Sequence, residues 1–279
     1  MSTKIGQGRN STLWSPPPIS DIGEFDFFGK EGYVLKVCTC GTGMKELEIK
    51  HALTRRYAQR HSNNKKPKLS QFFVLPLTAL RDFTVHPLRN GSTYVSHEKE
   101  HVGIYLRHAG TTWKSFWNEF YVSSGMQNKT IYALPEQAIA DLHDQVFTCI
   151  RNFLKCIQML HDLNVTHNDI WDENVMINYE MDGWLPKLID WESAAIHRKS
   201  DEKDGIKWLD HVEHLKLSDK IWDLPRLWDT KIKQVRFDWY RAIQMLRCTK
   251  ACMFWEDIRF LVKSICVYDW AHIQAKFFF

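Results

Sequence analysis

An α+β fold of two unequal parts is predicted for this chain: a small, mostly antiparallel sheet with one packed helix, followed by a mostly helical region. Three observations predict it. The first third alternates short apolar runs with turn residues, the pattern of strands. Beyond Gly110 apolar residues recur at three- and four-residue spacing, the pattern of helices with one buried face. Between two such helical stretches, His167 to Glu192 reads as strand–loop–strand and gathers Asp, Asn and Glu among apolar residues. With 279 residues, 44% of them hydrophobic, the chain has material for one or two compact units.

The elements follow in order. Ile5-Gly6-Gln7-Gly8 opens a turn whose glycines let backbone N–H groups approach a ligand without a side chain intervening. After a Pro16-Pro17-Pro18 connector, strands are expected near Glu24–Phe28 and Tyr33–Cys38. The second carries one cation, Lys36, in an apolar run; alone it would read as an edge-strand charge that discourages aggregation. Met44 to Arg60 reads as a helix, with Leu47, Ile49 and Leu53 forming an apolar stripe on the side of Glu46. Glu46 is therefore the favoured partner for Lys36, with Glu48 second. Apolar segments at Gln71–Leu77 and His101–Arg107 complete the sheet. The helical part begins with Leu142, Val146, Ile150, Phe153, Ile157 and Leu160 and continues with stripes over Ile232–Leu246 and Phe254–Ile265. Ile196 to Lys207 reads as a polar loop, and Ser218-Asp219 as the start of another helix.

Chemistry concentrates in His167-Asn168-Asp169-Ile170-Trp171-Asp172-Glu173-Asn174 and in Asp190, sixteen residues beyond Asn174. Phosphoryl transfer needs a carboxylate to orient a hydroxyl, oxygen ligands for Mg²⁺ and cations on the phosphates. This set contains them. It resembles the protein-kinase superfamily, whose loop motif H-x-D-x-x-x-x-N is met by His167, Asp169 and Asn174 after a Leu160-His161 lead-in. Tyr33-Val34-Leu35-Lys36-Val37 is similar to the family's Lys-bearing strand, and Ile5 to Leu13 to its glycine-rich loop.

The resemblance implies a protein-kinase-like two-lobe fold, with residues 1–108 as an antiparallel-sheet N-lobe and 109–279 as a mostly helical C-lobe. It implies ATP and Mg²⁺ as cofactors. Asp169 would be the catalytic base, Asn174 and Asp190 the metal ligands, and Lys36 the phosphate cation held by Glu46. Ile5, Gly6, Gly8 and Leu13 would cover the nucleotide. Leu106 and His108 would lie in the hinge from Gly103 to Gly110, where backbone groups read the adenine edge. His167 and Asp219 would support the catalytic loop.

Departures from the family bear on the acceptor. Ser11 stands where the third loop Gly falls, and Trp171 where protein Ser/Thr kinases carry a Lys. Asp190-Trp191-Glu192 lacks the Gly of D-F-G and resembles aminoglycoside and choline kinase relatives; no A-P-E follows. The expected function is an ATP-dependent phosphotransferase acting on protein Ser or Thr. The alternative acceptor is a small alcohol or amino sugar, which an acidic pocket would favour; a third reading is a pseudokinase serving as a binding module. The net charge of +4 and the basic run from Lys50 to Lys68 read as a solvated helix face, so no nucleic-acid partner is expected. Phe72 to Leu80 is too short and Pro-broken to span a bilayer. Seven cysteines without a paired zinc spacing, and no apolar leader, lead to the expectation of an intracellular protein, cytoplasmic or nuclear.

Overall fold

The computed structural model describes residues 3–7, 11–15, 17, 32–60, 68–87, 93–96, 100–124, 135–180, 183–198 and 231–249. These form a mixed α+β structure whose strand pairs are antiparallel. The chain divides into two compact units. The first comprises Met1–Asn64, Phe73–Ala109 and Ile189–Glu192; the second comprises Lys65–Phe72, Gly110–Leu188 and Ser193–Phe279.

The first unit holds β1 (Thr3–Gln7), β2 (Ser11–Ser15), β3 (Tyr33–Thr39), α1 (Cys40–Arg60), β4 (Thr78–Arg81), β5 (Thr84–Pro87), β6 (Thr93–Ser96) and β7 (His101–Arg107). Five of the strands form one sheet in the order β1-β2-β3-β7-β4, and β5 pairs with β6. β3 is central, and Val34, Leu35, Val37 and Cys38 are all buried, as a strand covered on both faces requires. Leu35 and Val37 pack with Trp14, Phe83, Val85 and Tyr105, whereas Cys38 packs with Val102 and Ile104. Side chains alternate along a strand, so Lys36 shares the face of Val34 and Cys38. α1 buries Glu46, Ile49, Ala52 and Leu53. It begins four residues before Met44, because the Thr39 hydroxyl accepts the Thr42 N–H at 3.4 Å and caps an earlier turn.

The expected strand over Gln71–Leu77 does not form. Leu69–Gln71 is a single 3-10 turn, and the strand begins at Thr78. Phe73 and Val74 are buried by packing instead: the Phe73 ring meets Trp191 edge-on at 5.5 Å, and the Val74 carbonyl accepts the Trp191 indole N–H at 2.9 Å.

The second unit holds β8 (Thr111–Thr112), α2 (Trp113–Ser123), α3 (Glu136–Asp162), β9 (Val165–Thr166), β10 (Val175–Glu180), β11 (Gly183–Leu188), β12 (Ala195–Ile196) and α4 (Lys231–Cys248). The sheet order is β11-β10-β8, with β9 and β12 as a separate pair. α3 buries Val146, Ile150, Phe153, Ile157 and Leu160 of the predicted stripe, and Leu142 is half-buried. It stops where Asn164 turns left-handed at φ 54°, a conformation Asn tolerates. Gly110 has φ 94°, and a Cβ there would lie 2.0 Å from the Ile177 carbonyl oxygen, so only glycine lets β8 pair with β10. α2 is capped by the Thr112 hydroxyl, which accepts the Ser115 N–H.

The expectations for Glu24–Phe28, Phe254–Ile265 and most of Ile196 to Lys207 lie outside the described residues. Among the described residues no helix is long and apolar enough to cross a membrane.

Candidate active site

Lys36 is the centre of the first unit's polar chemistry. β3 carries it onto the α1 side of the sheet, where the chain exposes only 6% of it. Its Nζ lies 2.5 Å from Glu46 Oε1 and 2.8 Å from Asp190 Oδ1. Burial by itself disfavours the ammonium, but the two carboxylates outweigh it and hold Lys36 above the usual lysine range. Glu46 is 1% exposed, and burial pushes its carboxyl up against the pull of Lys36. With two carboxylates on one ammonium, Lys36 is charged at neutral pH. Glu48 faces away, 61% exposed and 3.7 Å from Lys45. Asp190 keeps 36% side-chain exposure and sits at φ 64°, strained for a non-glycine residue.

The other expected nucleotide residues of this unit occupy β1, β2 and β7. Leu13 pairs across the sheet with Gly6 on one side and Lys36 on the other. Ile5 falls at the bulge in the β1–β2 register and is 50% exposed. Leu106 is half-buried and pairs with Val34. His108 is exposed, and its backbone N–H donates to Gly32 O at 2.8 Å. Gly8 lies outside the described residues.

The second unit holds the loop from His167 to Asn174. Asn174 Nδ2 donates to Asp169 Oδ2 at 2.8 Å and to the Asp169 carbonyl at 2.9 Å, closing the loop on itself. That leaves Asn174 Oδ1 with its lone pairs for another partner. Asp169 is half-buried. Its loop is held from α4: Asp238, fully buried, accepts the His167 backbone N–H at 2.8 Å and the Asn168 N–H at 2.7 Å, and lies 3.0 Å from His161 Nε2. Asn168 turns left-handed at φ 62°, and its Nδ2 donates to Ser193 O and Gln234 Oε1. Gln234 Oε1 also accepts the Thr166 hydroxyl at 2.8 Å.

Asp238 thus holds the backbone of this loop; Asp219, for which a bracing role was expected, lies outside the described residues. A signal for Asp238 existed. It stands three residues after Val235 and four before Ala242, inside a stripe of buried positions where a carboxylate needs buried donors. Among the described residues no three His, Cys, Asp or Glu side chains come together as a metal cluster. No family model matches the chain, and no curated protein matches it.

Proposed function

We propose that the protein is an ATP- and Mg²⁺-dependent phosphotransferase of protein-kinase-like two-lobe fold, transferring a phosphoryl group to an alcohol. The observation that carries this reading is Lys36, buried and ion-paired with both Glu46 and Asp190. A buried ion cluster contributes little stability that apolar residues of the same size would not match, so stability alone does not account for it. A cation fixed by a helix carboxylate, beside a second carboxylate that remains reachable, suits charge stabilisation at a triphosphate. The antiparallel sheet with one packed helix and the Asp169–Asn174 loop support the same reading.

Asp190 offers a carboxylate oxygen and Asn174 an amide oxygen, donor types that suit Mg²⁺, and on this reading the cation would neutralise phosphate charge. Lys36 would position the phosphates, and Asp169 would orient the acceptor hydroxyl and take its proton. Asn174 keeps the Asp169 carboxylate in place by the 2.8 Å hydrogen bond.

Thermal unfolding with ATP, with and without Mg²⁺, tests the reading. At 100 times its dissociation constant a ligand stabilises by about 2.7 kcal/mol. Stabilisation that needs Mg²⁺ and is lost in Asp190→Asn is expected. Asp169→Asn should keep nucleotide binding while transfer falls roughly 10²–10⁴-fold. No stabilisation by ATP under either condition would refute the proposal.

A further inference from the structure

Charge is unevenly distributed along this chain. Between Glu48 and Asp82 stand eight of its 37 Lys and Arg residues and none of its 33 Asp and Glu, so the remainder is net negative although the whole is +4. Lys50, Arg55, Arg56, Arg60 and Arg81 of this run belong to α1 and β4 in the first unit. The helix dipole favours a cation in the last turn, which accounts for Arg60 but not for the others. α1 has two carboxylates, both in its first half: Glu46 is buried on Lys36, and Glu48 lies 3.7 Å from Lys45. Burial, and then Arg55 and Arg60, pull Arg56 below the usual arginine range, so Arg56 is within repelling distance of both. Like charges gathered in this way raise the potential that the surface presents to an anion.

Apolar surface lies among these charges. Met44 on α1 is 39% exposed and Leu77, just before β4, is 37% exposed. The Arg81 guanidinium donates to Met44 Sδ at 3.8 Å, and Lys50 Nζ donates to the Leu77 carbonyl at 3.0 Å. Glu48, His51 and Arg55 follow Met44 at helical spacing, so Met44 and Arg55 share one exposed stripe of α1, on which Glu48 is the one anion. The opposite stripe, Glu46, Ile49 and Leu53, is buried in the core and holds α1 with this side outward. From Met44 to Arg60 the helix runs about 24 Å.

The mixture selects the partner. A nucleic acid would use the cations through its phosphates but leave Met44 and Leu77 in water. An anionic bilayer surface uses both: its headgroups meet the ammonium and guanidinium groups, while the aliphatic stems and the two apolar side chains reach toward the acyl boundary. α1 does not itself insert, because its apolar stripe is committed to the core, and among the described residues no helix is long and apolar enough to cross a membrane. The contact is peripheral. We propose that the outer side of α1, together with Leu77 and Arg81, docks the protein on an anionic lipid surface.

Sedimentation of the full chain with vesicles of phosphatidylcholine alone, or of phosphatidylcholine with phosphatidylserine, tests this. Binding should require phosphatidylserine and weaken as salt rises, since screening shortens the reach of the charges. Each Lys or Arg near such a surface is worth about fivefold in partition. The triple variant Arg55→Gln, Arg56→Gln, Arg60→Gln should therefore lower partition about 10²-fold. Met44→Ser with Leu77→Ser should lower it at low and high salt alike, because apolar contact is not screened. Arg151→Gln with Lys155→Gln, two exposed cations of α3 in the second unit, should leave it unchanged; an equal loss there would mean that net charge alone acts, and would overturn the assignment to α1. Equal sedimentation of the native chain with both kinds of vesicle overturns the proposal whatever the variants do. Tighter binding to a DNA duplex or to polyglutamate than to phosphatidylserine vesicles, with Met44→Ser and Leu77→Ser indifferent, also overturns it and gives the surface to a nucleic acid or an acidic protein.

Discussion

Replacing Asp238 by Asn isolates the hold of α4 on the loop that carries Asp169. The carboxylate is fully buried and serves two backbone N–H groups and the His161 ring. Asparagine supplies only one acceptor oxygen. If that oxygen keeps the His167 N–H and His161, the amide NH₂ is set against the Asn168 N–H, which bonds at 2.7 Å in the native protein. An unsatisfied buried donor costs about 1–3 kcal/mol. The remaining hydrogen bonds also lose their charge assistance, partly offset because an amide is cheaper to bury than a carboxylate. The expected loss is therefore about 1–3 kcal/mol, set by the orphaned N–H. Urea unfolding followed by tryptophan fluorescence measures it, and amide hydrogen exchange should show faster exchange at His167 and Asn168. Native stability and native exchange rates in Asp238→Asn would refute the brace.

Lys36→Met leaves Glu46 buried beside Asp190 with no cation, a change worth about 3–5 kcal/mol when a buried pair loses one partner. Burial already raises Glu46, so the folded variant holds a proton that the unfolded chain releases, and its stability should fall as pH rises above the ordinary Glu range. Its deficit relative to the native protein should therefore be smaller at pH 5 than at pH 8, and Glu46→Gln should restore stability without restoring turnover; a pH-independent deficit would contradict this. Gly110→Ala places a Cβ 2.0 Å from the Ile177 carbonyl oxygen, and φ 94° adds strain, so thermal unfolding should show a loss of more than about 2 kcal/mol. A native melting temperature would mean that β8 does not pair as described. The Cys38 thiol, 1% exposed, is pushed up to about 12 by burial, with Glu46 adding to it. Iodoacetamide at pH 8 should label the exposed Cys248 well before Cys38, as peptide mass mapping would reveal; equal rates would contradict the burial.

Local pattern made much of this protein legible. A β-branched and apolar run around Lys36 gives β3, and the Glu46 stripe gives α1, because each element's period is written in neighbouring residues. The same holds for α3 and for the close spacing of Asp169 and Asn174, which puts an amide within 2.8 Å of a carboxylate five residues away. Gln71–Leu77 shows the limit of that reading. Its apolar residues are buried, yet the Val74 carbonyl goes to Trp191, 117 residues later, instead of to a neighbouring strand. Burial and strand pairing produce the same composition, and only the partner separates them.

Sequence alone determined the periodic elements and which residues supply the carboxylates, the amide and the ammonium of the candidate site. Tertiary structure alone decided that Asp238 holds the His167–Asn168 backbone and that Arg241 lies on Trp171. The reason is physical: the Asp238 contacts join residues 70 and 71 positions apart, and the free energy that selects a partner at that range comes from desolvation and packing of the folded chain, which no short window of residues encodes.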